Sequence, residues 1–158
     1  MQSYLTVTPR WVAAIFFLML LESVRCGVPT TRSEAAQFPP TIVITEGRTS
    51  DGFPYLFGGV SSDEREAMEE RAKGYNLKLV FAEKRGAFVS GAIIMIATAK
   101  GIEIDAMTVK GPWFFIQLPP GDYSVKATFK GQTKQINNLH VPKDKRVQQG
   151  FSWDLGEE

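Results

Sequence analysis

Polar and apolar positions alternate without a break over residues 122–130: Tyr123, Val125, Ala127 and Phe129 fall on one face, Asp122, Ser124, Lys126, Thr128 and Lys130 on the other. That is the pattern of a strand with one wet side. Pro119-Pro120-Gly121 before it predicts a type II turn with Gly121 at positive φ, and Lys130-Gly131 after it predicts a tight hairpin. The same period of two recurs in Leu77, Leu79 and Phe81, in Ile102-Glu103-Ile104-Asp105-Ala106, and in Val147, Phe151 and Trp153 near the end. Residues 87–98 are nearly all apolar or small, as in a strand screened on both faces or one that continues across a bulge at Gly91. Residues 41–45 predict a short edge strand, and residues 133–139 a polar one, where Lys134, Asn137 and Asn138 discourage association. About seven strands at turn spacings of about ten residues predict a mainly β protein, an immunoglobulin-like antiparallel β-sandwich.

One segment departs from this period. Residues 61–73 predict a helix: Ser61 with Glu64 three positions on is a capping-box pair, and Gly74 suits the left-handed stop. Met68, Ala72 and Tyr75 form a narrow apolar stripe fit to dock on a sheet, and the remaining surface is charged. Residues 47–59, between the first strand and this helix, are rich in turn formers yet carry Phe53, Tyr55, Leu56 and Phe57, and predict an aromatic loop. The chain therefore divides into residues 1–26, a linker and aromatic loop over 27–59, a helix over 60–75 and a sandwich over 76–158.

Composition changes this picture mainly at the N-terminus. Arg10 followed by an apolar run over residues 11–21, ending at Glu22, has the form of a secretory signal peptide with cleavage after Cys26. The run is too short to cross a bilayer, which takes about 20 residues. Arg25 before Cys26 argues against acylation of that cysteine, the only one in the chain. Cleavage there leaves no disulfide, and 44% apolar residues provide the core instead. The expectation is a secreted protein, periplasmic rather than eukaryotic extracellular, with no stable membrane span after cleavage. A net charge of +1 gives no field that would recruit nucleic acid.

The candidate chemistry is sparse. His140 is the only histidine, and no Gly-x-Ser-x-Gly elbow accompanies it. Glu103 and Asp105 are expected on one strand face, an arrangement common on solvated sheets and able to hold a cation or exchange protons. Gly58-Gly59 lacks a following phosphate-binding lysine and reads as a turn. No catalytic residue, metal ligand or cofactor site is assigned. Trp113-Phe114-Phe115 is the anomaly, because alternation sends Phe114 to one face and its neighbours to the other. One face is core, and the other requires cover from the helix or from the aromatics at 53–57. If left open, Trp113, Phe114, Tyr55 and Phe57 are the candidate residues for stacking on a sugar or receiving a partner.

Residues 91–96, residues 105–111 and the run Trp-Phe-Phe-Ile-Gln-Leu-Pro-Pro-Gly-Asp-Tyr-Ser-Val over residues 113–125 together resemble the carboxypeptidase regulatory-like domain. The resemblance covers roughly residues 76–154 and implies a prealbumin-like (transthyretin-like) sandwich of seven strands. The preceding residues, 57–65 and 75–81, are similar to small uncharacterised exported bacterial proteins that carry this domain alone. In larger members the domain is a non-catalytic appendage of peptidases and outer-membrane receptors, so the resemblance implies an accessory role and transfers no catalytic residue. The expected function is an exported module that binds an envelope protein. The alternative is carbohydrate binding through exposed aromatics, and an unrecognised hydrolase is the third reading.

Overall fold

The computed structural model describes residues 41–156, so the expected signal peptide and most of the linker lie outside the described residues. Along the chain come β1 (Thr45–Arg48), β2 (Pro54–Gly58), α1 (Ser62–Arg71), β3 (Leu77–Glu83), β4 (Ala92–Thr98), β5 (Glu103–Val109), β6 (Trp113–Ile116), β7 (Gly121–Phe129), β8 (Gln132–Val141) and β9 (Val147–Trp153). They form a five-stranded sheet, β1-β2-β6-β3-β9, and a four-stranded sheet, β5-β4-β7-β8. The fold is the expected mainly β sandwich with one short helix, but it has nine strands where about seven were expected. All pairs are antiparallel except β3 and β9, which run parallel.

Alternation builds the core. Leu77, Leu79 and Phe81 of β3 meet Ala92, Ile94 and Ile96 of β4 and Tyr123, Val125 and Ala127 of β7 in one buried cluster. At one end Phe81, Phe151 and Trp153 stack, with ring centroids 6.0–6.3 Å apart. Trp153 is fully buried and donates its indole N–H to the Gln132 carbonyl at 2.9 Å, tying the end of β9 to the start of β8.

The helix packs on the outer face of the five-stranded sheet. Met68 and Ala72 are buried there with Leu56 of β2 and Phe115 of β6, and Tyr75 and Trp113 flank them. Ser61 caps the helix by accepting from the Glu64 N–H at 3.1 Å. The Glu64 carboxylate turns back to accept from Val43 N–H at 3.1 Å and Val60 N–H at 2.8 Å, and so pins the incoming chain to the helix start.

Four sequence expectations are corrected. Residues 54–58 are not part of a loop: β2 pairs with β6, sending Tyr55 and Phe57 into the core and Leu56 under the helix, so the sandwich begins before residue 76. The flanking Gly and Pro hid a five-residue strand. The first strand occupies Thr45–Arg48 rather than residues 41–45, since its register is set by pairing with β2. Gly121 does not take positive φ; it enters β7 directly, opposite Val141. Residues 87–98 make a strand only from Ala92, and that strand is not screened on both faces, because Ile93 on its outer side is 53% exposed. The Lys130-Gly131 hairpin is as expected, with φ of 45° and 76°.

Candidate functional site

The four aromatics singled out by pattern do not form one surface. Phe114 is fully buried and Phe57 nearly so, both between the sheets. Tyr55 is half-buried and stacks on both, at centroid distances of 5.8 Å and 6.2 Å. Trp113 lies on the opposite face, half-buried, edge-on to Phe115 at 6.2 Å. Over it sits the Lys78 ammonium, 3.3 Å from the ring centroid, which also pairs with Glu69 of the helix at 2.5 Å. The Lys78 side chain is only 7% exposed. Arg146 closes the arrangement, bonding Glu69 at 2.5 Å and lying 5.0 Å from the Phe115 ring. Burial pushes the Glu69 carboxyl up, but hydrogen bonds from Lys78 and Arg146 hold it below its ordinary value. The helix and these two cations therefore supply the cover that the Trp113 face requires. Among the described residues the aromatic left open is one the pattern did not select: Phe88, 50% exposed, with the Arg65 guanidinium 5.1 Å from its ring.

Both edges of the four-stranded sheet are single strands, and they differ in how their outward backbone groups are used. On β5 the Ile104 carbonyl accepts from Ser50 Oγ at 3.1 Å, and the Ala106 N–H donates to the Asp105 carboxylate at 2.8 Å. Those two groups would otherwise be offered to an incoming strand. On β8 the two-residue turn makes Phe129 and Gln132 the hydrogen-bonded closing pair, so Ala127–Lys134 and Val125–Ile136 are the next bonded pairs. Alternation then directs the N–H and C=O groups of Thr133 and Gln135 away from β7, along an open edge. The side chains around them are paired locally: Thr133 with Thr128 at 2.9 Å, and Gln135 with Asn137 at 2.7 Å. Lys134 shares the face of buried Ala127 at this edge. Its charge contributes a small part of what holds the Asp154 carboxyl below its ordinary value, after the dominant hydrogen bond from Lys84. The open stretch ends where Asn137 and Asn138 bulge opposite β7, Asn138 taking a φ of 56°.

The remaining candidates lie apart. His140 Nδ1 is 2.8 Å from Asp122, with both side chains exposed. Glu103 and Asp105 do not share a face: Asp105 pairs with Ile96 and Glu103 with the adjacent Ala97, so a bulge at Ile104 turns them apart. Among the described residues no group of three or more His, Cys, Asp or Glu is placed to hold a metal ion, and no helix is long and apolar enough to cross a membrane. The contrast between the edges was half legible: the polar character of residues 133–139 marked an edge, whereas the capping of β5 depends on Ser50, 54 positions from its partner.

Compared with family models, with curated proteins and with solved structures, the chain matches none.

Proposed function

We propose that this β-sandwich is a non-catalytic interaction module, exported to the bacterial cell envelope, that receives an extended segment of another protein along the outer edge of β8. The observation that carries this reading is the contrast within one sheet: on β5 the Ile104 carbonyl and the Ala106 N–H are occupied by side chains, while the N–H and C=O groups of Thr133 and Gln135 on β8 face outward. In strand addition the main-chain bonds supply affinity and alternate side chains supply selectivity. Here Thr133 and Gln135 present one face to the incoming strand and Lys134 and Ile136 the other.

A second copy of the chain fits less well. The two-fold antiparallel register that uses both Thr133 and Gln135 sets Lys134 opposite its own copy, and like charges directly opposed are unfavourable. A partner strand with an acidic or neutral residue at that position avoids the conflict. Export rests on Arg10 and the apolar run at residues 11–21, and the accessory role on the resemblance carried by residues 113–125. The burial of Phe114 and Phe57 lends no support to the glycan alternative.

Site-specific photo-cross-linking in the host envelope tests the reading. A photoreactive residue at Gln135 is expected to capture one protein that the same residue at Thr108 of β5 does not, and Thr133→Pro should abolish the capture. Equal capture from both edges, or capture of a second copy of this chain alone, would overturn it.

A further inference from the structure

Four chain segments meet at one end of the sandwich and leave a built cleft there. Asn76, just before β3, donates its side-chain amide to the Leu118 carbonyl at 2.7 Å and accepts from the Leu118 N–H at 2.9 Å. Its own carbonyl accepts from the Val147 N–H at 2.9 Å. The Gln117 N–H donates to the Pro54 carbonyl at 3.0 Å, and the Tyr123 hydroxyl to the Pro119 carbonyl at 2.6 Å. These bonds hold the walls in place and leave the Lys143 and Gln117 side chains at the opening unused.

The opening has two halves. One is a cavity of about 360 Å³ walled by Phe53, Pro54, Leu118, Pro119 and Pro120. The other, about 270 Å³, is bordered by Tyr75 and the loop carrying Lys143, Asp144, Lys145 and Arg146. Asn76 and Lys143 line both. Arg146 is committed to Glu69, and Asp144 is the single carboxylate on the rim, flanked by two lysines. Lys143 makes no hydrogen bond or ion pair with any described residue, and neither does the Gln117 side chain at the apolar half.

We propose that this cleft is a binding site for a small carboxylate with a compact apolar body, an aryl or branched aliphatic acid. The body fills the half between Phe53 and Pro120, and the carboxylate meets the Lys143 ammonium with the Gln117 amide beside it. The volume falls within the range of small-molecule sites, on the order of 300–1,000 Å³. One exposed ion pair gives only a modest gain, so selectivity for the charge is expected to be a matter of severalfold. The site is separate from the β8 edge, and neither proposal depends on the other.

Phenylacetate is the probe. Titrated into ¹⁵N-labelled protein to about 10 mM, enough to fill a site with a Kd of about 1 mM, it should shift the amides of Phe53, Gln117, Leu118 and Lys143 together. Lys143→Gln should weaken it about fivefold, Lys143→Arg should retain it, and phenethylamine should leave the same amides in place. The proposal is overturned if the shifts are absent or lie elsewhere. It is equally overturned if phenylacetamide binds as well as phenylacetate, or if Lys143→Gln binds unchanged.

Discussion

The two edges of the four-stranded sheet are made of the same backbone and differ in what neighbouring residues do to it. β5 is closed in its middle by Ser50, brought across from the turn after β1, and by Asp105 folding onto the next N–H. β8 is longer and anchored at its start by Trp153, yet among the described residues nothing comparable faces Thr133 and Gln135. An edge strand is a standing invitation to association, and side chains that occupy its outward groups withdraw it. A single sheet that withdraws it on one side and leaves it on the other has a direction in which it can grow.

The largest perturbation of this contrast is expected from Trp153→Ala. Emptying a fully buried indole site and losing the bond to Gln132 should cost about 3–5 kcal/mol in urea unfolding. Amide exchange should rise at the start of β8 well before it does in β5. Next come two prolines one residue apart. Lys134→Pro deletes an N–H that faces Ala127 across the ladder and should cost about 1–3 kcal/mol. Gln135→Pro deletes an outward N–H and should change stability by no more than about 0.5 kcal/mol. Equal costs would mean that the assigned directions are wrong.

Opening the closed edge is the converse experiment. Ser50→Ala with Asp105→Ala should cost about 1 kcal/mol or less, because the released groups face solvent. The variant should self-associate through β5 in sedimentation velocity, where the parent does not. The smallest effect concerns neither edge. Burial pushes the Glu64 carboxyl up, but the backbone N–H groups of Val43, Val60, Ser61 and Gly59 hold it below its ordinary 4.5. A depressed carboxylate contributes stability that is complete above its unfolded value and is lost as pH falls through the folded one. Stability should therefore decline below about pH 4.5, and Glu64→Gln should flatten that decline without altering exchange at Thr133 or Gln135.

The sandwich was readable where alternation was uninterrupted. Residues 122–129 and 147–153 lie within two strands that bury the faces their patterns select. It was unreadable in β2, where Pro54 and Gly58 bracket a strand too short to announce itself beside so many turn formers. The helix cap and stripe were local signals and survived folding: Ser61, Met68 and Ala72 act as their spacing implies. The partners of Glu69 are not local, because Lys78 and Arg146 reach it from β3 and from the loop before β9. The expectation that Glu103 and Asp105 share a face failed at one inserted residue, Ile104. Periodicity carries faces and ends; which backbone groups remain unoccupied at an edge is set by contacts that no window along the chain contains.

The most direct test of the open edge is residue-resolved amide hydrogen exchange on the free protein. Thr133 and Gln135 should exchange orders of magnitude faster than Lys134 and Ile136, which lie between and beside them on the same strand. Ala106 on β5 should fall in between, held by a side chain alone. Uniform protection across residues 133–136 would contradict the account, since those outward N–H groups would then already have a partner.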